Sequence, residues 1–567
     1  MARPVPHLRR VGNTQQLIVD GEPYLILGGE IQNSQFSAAR YVREVWPRLK
    51  AANLNTVFAS VTWEQIEPIE WQFSFTELDE MIQDARQNDL RIVLLWFGSF
   101  KNAQSTYAPA WVKRNLARFP RAEVCAPGGE VRPVDALSVF GHHAQLSDSK
   151  AFLALMRHLK EVDGQHRTVL MVQVENEVGL LGDSRDRSRL AEQAWRQAVP
   201  AEFLQGLKRH WSELNTTFQQ NWTHLRMISP LEMMTWEDLA TGDQSLLDEL
   251  FMAYYFTRYL EKVAAAGKAE YDLPMYINVW QNYAGQDRDT NIPNVSSGGG
   301  RPGDYPSGGG VANVLDVWKI FAPSLDIITP DIYLNDYASS CATYRHRGQA
   351  LLISEQRRDE YGARRLWQAY GSYKCIGTSP FGIDTFMTAE ENPFKRHYGL
   401  LQRMQKYILR TQEIEAQTGF GFCFDELAEA DKQRQSSNDA WHHTFSAWHL
   451  TVERASWLPN STGFGMVIQL DENRFLLVGW GYQVSFTSRR SDVKFTGITR
   501  FDEMAVITPF ASGEMRTLRS MMNSQMREGL CVAVMPGSTA ISGGGAMAPH
   551  GSGIAICEPY TVLEGNT

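Results

Sequence analysis

Between residues 24 and 390, short apolar runs alternate with longer segments of helical periodicity. A strand buried on both faces reads as a near-continuous apolar run, and a crossover helix reads as a 3.6-residue stripe. The alternation therefore predicts βαβ units around a parallel sheet. Eight strand candidates can be placed, at 24–30, 56–62, 92–97, 169–174, 275–279, 327–332, 351–354 and 374–378. Helix-like segments lie between them, among them 39–52, 75–88, 149–162 and 246–265. Eight parallel strands, each followed by a helix, close into a (β/α)8 TIM barrel. After about Gly419 the helical period gives way to short alternating strands such as 465–470, 474–478 and 483–487, with turn residues between them and a Gly-rich stretch at 542–545. The expected fold class is α/β, a (β/α)8 barrel over residues 1–418 followed by a smaller, sandwich-like β-rich domain over 419–567. A chain of 567 residues needs such a division, because single cores stop growing at roughly 250–300 residues.

Composition removes several function classes. The net charge is −9 and Lys/Arg residues form no run, so a nucleic-acid partner is not expected. There is no stretch of 18 apolar residues, and hence no membrane span. The segment 1–12 lacks the apolar core of a signal peptide as written. The six Cys are scattered without zinc-ligand spacing. A Gly/Pro/Ser-rich stretch at 291–310 matches neither phosphate-cradling pattern, so it reads as a loop over the barrel mouth.

In such barrels the active site gathers at the C-terminal ends of the strands. Carboxylates at or just past predicted strand ends are Glu30, Glu64, Glu175, Glu177, Asp331 and Glu355. The sharpest signal is Gln173-Val174-Glu175-Asn176-Glu177, which follows the apolar run at 169–172. Burying two carboxylates there costs several kcal/mol unless they are partnered, so chance placement is a poor account of them. On a regular strand Glu175 and Glu177 share one face and Asn176 takes the other, unless a bulge re-aims it. The second signal is the run 351–354 ending on Glu355, where Arg357 or Arg358 could keep the carboxylate ionised. Two carboxyls flanking one bond are the equipment of glycoside hydrolysis. The 16 Trp suit sugar faces as readily as they suit aromatic cores.

The segment QVENEVG at 173–179 closely resembles the QVENEYG-type motif of family-35 β-galactosidases. LNTVFASVTWEQIEP at 54–68 resembles that family's strand-two motif, and YAPAWVK at 107–113 its PAW signature after strand three. The resemblance covers roughly residues 20–390 and implies a retaining glycosidase, with the acid/base on strand four and the nucleophile on strand seven. By match these are Glu177 and Glu355, and Asn176 is the Asn that bonds the sugar 2-hydroxyl. The chain departs from the family where the galactose ring is gripped. Residues 30–34 replace the usual strand-one segment, Ser60 stands near the usual strand-two Tyr, and 96–102 replace a Glu-rich stretch. The overall look is of a bacterial branch acting on plant cell-wall side chains such as xyloglucan.

Further sugar contacts are expected from Lys101 and Asn102 after strand three, Tyr333 after strand six, Trp280 ending strand five and Trp63 ending strand two. Asp331 reads better as the structural partner of a barrel cation. No metal or other cofactor is required by this chemistry, and the expected partner is a β-galactoside carbohydrate. A polymer substrate points to a periplasmic or secreted home. Two other readings stand beside this one: another retaining β-glycosidase of the same clan, such as a β-glucosidase, β-galactofuranosidase or arabinosidase, and a non-catalytic carbohydrate-binding barrel. A structural or adhesive role for the C-terminal domain has no motif behind it.

Overall fold

The computed structural model describes residues 4–229, 233–240, 242–283, 299–427, 439–455, 462–507, 513–521, 531–535 and 551–564. Part of the Gly-rich loop (291–298) and the stretch 542–545 lie outside the described residues. The chain forms two compact units. The first comprises Met1–Arg9, Leu17–Gln356 and Gly377–Ala389; the second comprises Arg10–Gln16, Arg357–Ile376 and Glu390–Thr567.

The first unit holds a closed barrel of eight parallel strands: β1 (Ile26–Glu30), β2 (Thr56–Thr62), β3 (Arg91–Lys101), β4 (Val169–Asn176), β5 (Met275–Trp280), β6 (Ile327–Ile332), β7 (Leu352–Gln356) and β8 (Gly377–Pro380). Each strand pairs with its sequence neighbour, and β8 pairs with β1 to complete the ring. Every residue of β2, β4 and β6 is buried, as a sheet covered on both faces requires. All eight expected strands are present, displaced by a few residues. The last is shifted furthest, because Lys374 adopts a left-handed backbone (φ 52°) and the ladder starts only at Gly377. The helix expected over 39–52 is two pieces, Ala39–Val42 and α1 (Trp46–Ala51), the second carrying Pro47 in its first turn. Proline has no N–H to give an interior helical bond, so it opens a helix rather than continuing one. The longer helices, α2 (Thr76–Gln87), α3 (His142–Asp163) and α4 (Gln244–Glu270), cover the expected segments.

The second unit contains α5 (Glu360–Ser372) and α6 (Phe394–Glu413) with two antiparallel sheets. Its strands are β9 (Gly419–Cys423), β10 (Ala440–Thr444), β11 (Trp448–Arg454), β12 (Phe464–Asp471), β13 (Arg474–Trp480), β14 (Tyr482–Ser488), β15 (Val493–Val506), β16 (Met515–Ser520), β17 (Val532–Met535) and β18 (Ile554–Leu563). One sheet runs β9-β12-β13-β18-β15-β16 and the other β10-β11-β14-β17. Strand β11 alternates buried and half-buried positions without a break, the period-2 pattern of a sheet with one face in a core. Phe422, Val467 and Leu477 from the first sheet meet Leu450, Val452 and Val484 from the second in one core cluster. The β-rich C-terminal expectation therefore holds.

Among the described residues no helix is long and apolar enough to cross a membrane. One buried acid away from the barrel mouth has a measurable consequence. Glu249 on α4 is fully buried, and burial pushes its carboxyl up to about 7, against the opposing pull of Asn313 and Tyr305. A group whose proton affinity rises on folding stabilises the fold below its ordinary value near 4.5. That contribution disappears as the pH climbs through about 7. Glu249→Gln is therefore expected to raise the thermal midpoint by about 2–4 °C at pH 8 and by less at pH 5. Melting curves at the two pH values check this.

Candidate active site

The end of β4 does not stay a regular strand. Glu175 and Glu177 both have left-handed backbone, at φ 63° and 45°. Non-glycine residues take that region only when their surroundings over-determine it, and such residues cluster at functional sites. The consequence corrects the face-sharing expected above. Glu175 turns toward the helix layer, whereas Asn176 and Glu177 both enter the barrel lumen.

Glu175 is a scaffold residue. Its carboxylate accepts hydrogen bonds from the backbone N–H groups of Gly98 (3.2 Å), Ser99 (3.1 Å) and Phe100 (2.6 Å). Asp148 on α3 lies against it and accepts from the Trp96 indole N–H at 2.9 Å and Ser99 N–H at 3.3 Å. These bonds hold a bulge in β3, where the pairing with β4 jumps from Trp96↔Val174 to Lys101↔Asn176. Gly98 is required there, since a Cβ would sit 2.6 Å from Glu175 Oε1. The bulge delivers Lys101 to the lumen. Its Nζ donates to Asn176 Oδ1 at 3.0 Å, and Asn102 N–H reaches the same oxygen at 3.4 Å. The Asn102 side chain is exposed.

Glu355, at the end of β7, is 6% exposed and accepts three hydrogen bonds. Asn176 Nδ2 (3.2 Å) and Asn278 Nδ2 (3.1 Å) donate to Oε1, and the Tyr333 hydroxyl (2.8 Å) donates to Oε2. Asn278 on β5 is the hub. Its Nδ2 also donates to Asp331 Oδ2 at 2.7 Å, and its Oδ1 accepts from Glu177 N–H at 2.9 Å. Asp331 stands beside Glu355 in the β6–β7 register and takes a bond from Ser354 Oγ at 2.9 Å. One carboxylate oxygen from each of Glu177, Asp331 and Glu355 lies within 4.8 Å of the others. Arg357, offered above as a partner for Glu355, instead pairs with Asp359 at 2.5 Å.

Crowded acids in a buried site cannot all ionise. Glu177 is pushed up to about 7, first by burial and then by the charge of Glu355. Burial, followed by the charge of Glu355, holds Asp331 and Glu30 well above the ordinary carboxylate range. Glu355 is the member surrounded by donors, so the site sets a carboxyl of raised proton affinity beside a hydrogen-bonded one across a short gap. The same three carboxylates are the single group among the described residues with metal-ligand spacing. However, Asn176, Asn278 and Tyr333 already give Glu355 the donors a carboxylate needs.

The remaining predicted contacts divide. Lys101, Asn176, Tyr333 and both Glu residues converge. Trp280 is half-buried at the end of β5, in register with Asp331. Trp63 does not join them. It is fully buried, gives its indole N–H to Glu67 at 2.8 Å and packs edge-on against Trp111, so no sugar can stack on it. Glu64 lies outside the cluster too, paired with Lys113 at 3.3 Å. Asp331 corrects the reading above, since it joins the acids rather than pairing with a barrel cation. Sequence reasoning missed Asn278. Its one signal was an amide inside the apolar run 275–279, where a buried polar side chain needs partners.

A glycoside hydrolase family 42 model, described as beta-galactosidase, matches residues 35–259. The front of the barrel thus resembles a glycoside hydrolase. The matched span includes Glu177 and stops before Glu355. It supports the β-galactosidase families in general, whereas the motifs pointed to family 35 in particular. A domain of unknown function matches residues 394–523. Beta-galactosidase 8 of Oryza sativa subsp. japonica is 28% identical over 175 residues, which is 30% of this chain and 23% of the rice protein. The beta-galactosidase of the psychrophilic Marinomonas ef1 aligns with TM-score 0.45 and 12% identity over 70% of this chain and 62% of its own. A GH42 beta-galactosidase from G. stearothermophilus gives 0.42 and 17% over 71% and 59%. The chain therefore spans less than two thirds of the length of these relatives, and its barrel is established by its own strand order.

Proposed function

We propose that this chain is a retaining β-galactosidase that releases terminal non-reducing β-D-galactosyl residues from oligo- or polysaccharides, with Glu177 as acid/base and Glu355 as nucleophile. The observation that carries this reading is the pairing of a carboxyl of raised proton affinity just past β4 with a donor-ringed carboxyl on β7, an oxygen of each within 4.8 Å of the other. Retaining enzymes hold their two carboxyls about 5–5.5 Å apart, whereas inverting enzymes leave a wider gap for water. In the first step Glu355 forms a bond to the anomeric carbon, the glycosidic C–O bond breaks, and the Glu177 proton goes to the leaving oxygen. In the second step Glu177 takes a proton from water, whose oxygen displaces Glu355 and restores the configuration. Asn176, shared between Lys101 and Glu355, is placed to meet the 2-hydroxyl.

The sugar is assigned by resemblance to β-galactosidases, so it is the part to test first. A panel of aryl β-D-glycosides, followed by proton NMR of the first-formed anomer, separates the alternatives. Fast release from the galactoside with β-product first supports the proposal. Release from a glucoside, arabinoside or galactofuranoside instead would keep the mechanism and change the sugar, and α-product first would defeat the retaining assignment. No cleavage of any member, together with sugar binding, would favour the non-catalytic barrel. Xyloglucan side-chain galactose is the polymer to try, and a periplasmic or secreted location would follow from such a substrate. We place the catalytic machinery within residues 1–418 and assign 419–567 no chemistry.

A further inference from the structure

The lumen holds more acid than hydrolysis uses. Two carboxyls perform the reaction, and Asp331 is engaged by Asn278 and Ser354. Glu30, which ends β1, remains. It is 1% exposed, and its Oε1 has no hydrogen-bond partner. It is buried at the mouth end of a barrel strand, and the charges acting on it are those of Glu355, Lys101, Glu177 and Asp384.

A second polar atom there is equally alone. Tyr276 on β5 is fully buried, and its phenol oxygen has no partner. It precedes Asn278 by two residues, so it shares that residue's inward face one layer deeper. Among the charges acting on it, that of Glu30 comes first, ahead of Asp331 and Glu355. In the strand order β1 and β5 lie on opposite sides of the eight-membered ring. Glu30 and Tyr276 therefore face the lumen from opposite walls, Glu30 at the end of its strand and Tyr276 deeper.

Buried polar atoms in folded proteins are almost always bonded, and leaving one unsatisfied costs about 1–3 kcal/mol. Two orphans aimed into one site call for a ligand that supplies hydroxyls. We propose that Glu30 and Tyr276 bind ring hydroxyls of the sugar held between Glu177 and Glu355, and so determine which sugar the site accepts. A carboxyl and a phenol together offer both donor and acceptor capacity, which suits a hydroxyl that must do both. Sites built to bond a substrate hydroxyl reject analogues that lack it, because the buried partners are then left unpaired. The inference rests on the glycosidase reading for the identity of the reaction, but not for the binding of a sugar.

The test compares Glu30→Leu and Tyr276→Phe with the wild type on the aryl glycoside it cleaves best and on the monodeoxy derivatives of that glycoside. On the parent sugar Glu30→Leu should lower kcat/KM by about 10–200-fold and Tyr276→Phe by about tenfold. For one monodeoxy substrate the Glu30→Leu loss should shrink to less than about threefold, since the hydroxyl at stake is already gone. Thermal midpoints should be unchanged or higher, because an unpartnered buried carboxyl is removed. Equal losses on every deoxy substrate, or a midpoint that falls with the activity, would mean Glu30 only packs the interior and would overturn the inference. If the wild type cleaves no glycoside, calorimetric binding of D-galactose and D-glucose replaces the rate. Weakening by tenfold or more in Glu30→Leu would then uphold the sugar contact while the glycosidase reading fails. No sugar binding by the wild type would overturn both.

Discussion

Under the proposed mechanism Glu355→Ala is expected to lower kcat by a factor on the order of 10⁴–10⁶, because the covalent intermediate can no longer form. The side chain is 6% exposed and anchored on both oxygens by Asn176, Asn278 and Tyr333. Replacing it with methyl leaves three donors facing an empty space the size of a carboxylate. That space identifies the nucleophile chemically. Added azide or formate should enter it, attack the anomeric carbon from the same side and partly restore turnover. The azide product should have the configuration opposite to the substrate, since only one displacement has occurred. Steady-state rates with an activated aryl glycoside, followed by NMR of the product, check both points. Retention of more than about a tenth of the wild-type kcat would remove Glu355 from the nucleophile role, as a loss that small is no more than a displaced hydrogen bond costs.

Glu177→Ala should behave differently, and the contrast assigns the roles. Loss of proton transfer typically costs about 10²–10⁴ in rate, and the loss should depend on the leaving group. A dinitrophenolate departs without a proton, so its glycoside should be cleaved nearly normally in the first step, and the enzyme should accumulate as the glycosyl intermediate. An alkyl or sugar leaving group should suffer the largest loss in that range. The pH profile carries an independent signature. Under the proposed mechanism the proton needed for departure comes from Glu177, whose carboxyl is pushed up to about 7 by burial and by the charge of Glu355. Activity in kcat/KM should therefore be high on the acid side and fall as the pH rises through about 7. In Glu177→Ala that basic limb should vanish. A profile that keeps its limb in the variant would place the proton on another member of the coupled cluster, Asp331 or Glu30, since interacting acids titrate as a group.

The barrel was legible because its signal is one-dimensional. Strand β4 offers an unbroken apolar run followed by charged residues, and a segment buried on both faces has few other ways to read. Glu177 and Glu355 were legible for a related reason: a barrel puts its chemistry at strand ends, so position along the chain becomes position at the mouth. The helix at 39–52 was overdrawn because periodicity continues through Pro47, whereas hydrogen bonding does not. Trp63 was drawn to the site by the same strand-end argument that served Glu177. Its neighbours Glu67 and Trp111 claim it for the core, and no feature of the sequence near Trp63 announces that contact.

By itself the sequence determined the order of strands and helices, the change of character near residue 419, and the two acids at the ends of the fourth and seventh strands. These depend on local pattern, and local pattern is what a chain displays along its length. Tertiary structure alone decided which way those acids face and what surrounds each one. The left-handed turns at Glu175 and Glu177 reverse the expected alternation, and they exist because the amides of 98–100 and the side chain of Asn278 hold them there. Asn278, Tyr276 and Glu30 lie on strands 101, 99 and 147 residues from Glu177 and become its neighbours only when the ring closes. A proton affinity is likewise a property of surroundings. Glu175 and Glu177 are the same residue type two positions apart, yet one is a scaffold for a bulge and the other an acid poised near neutrality, because barrel closure buried them against different partners.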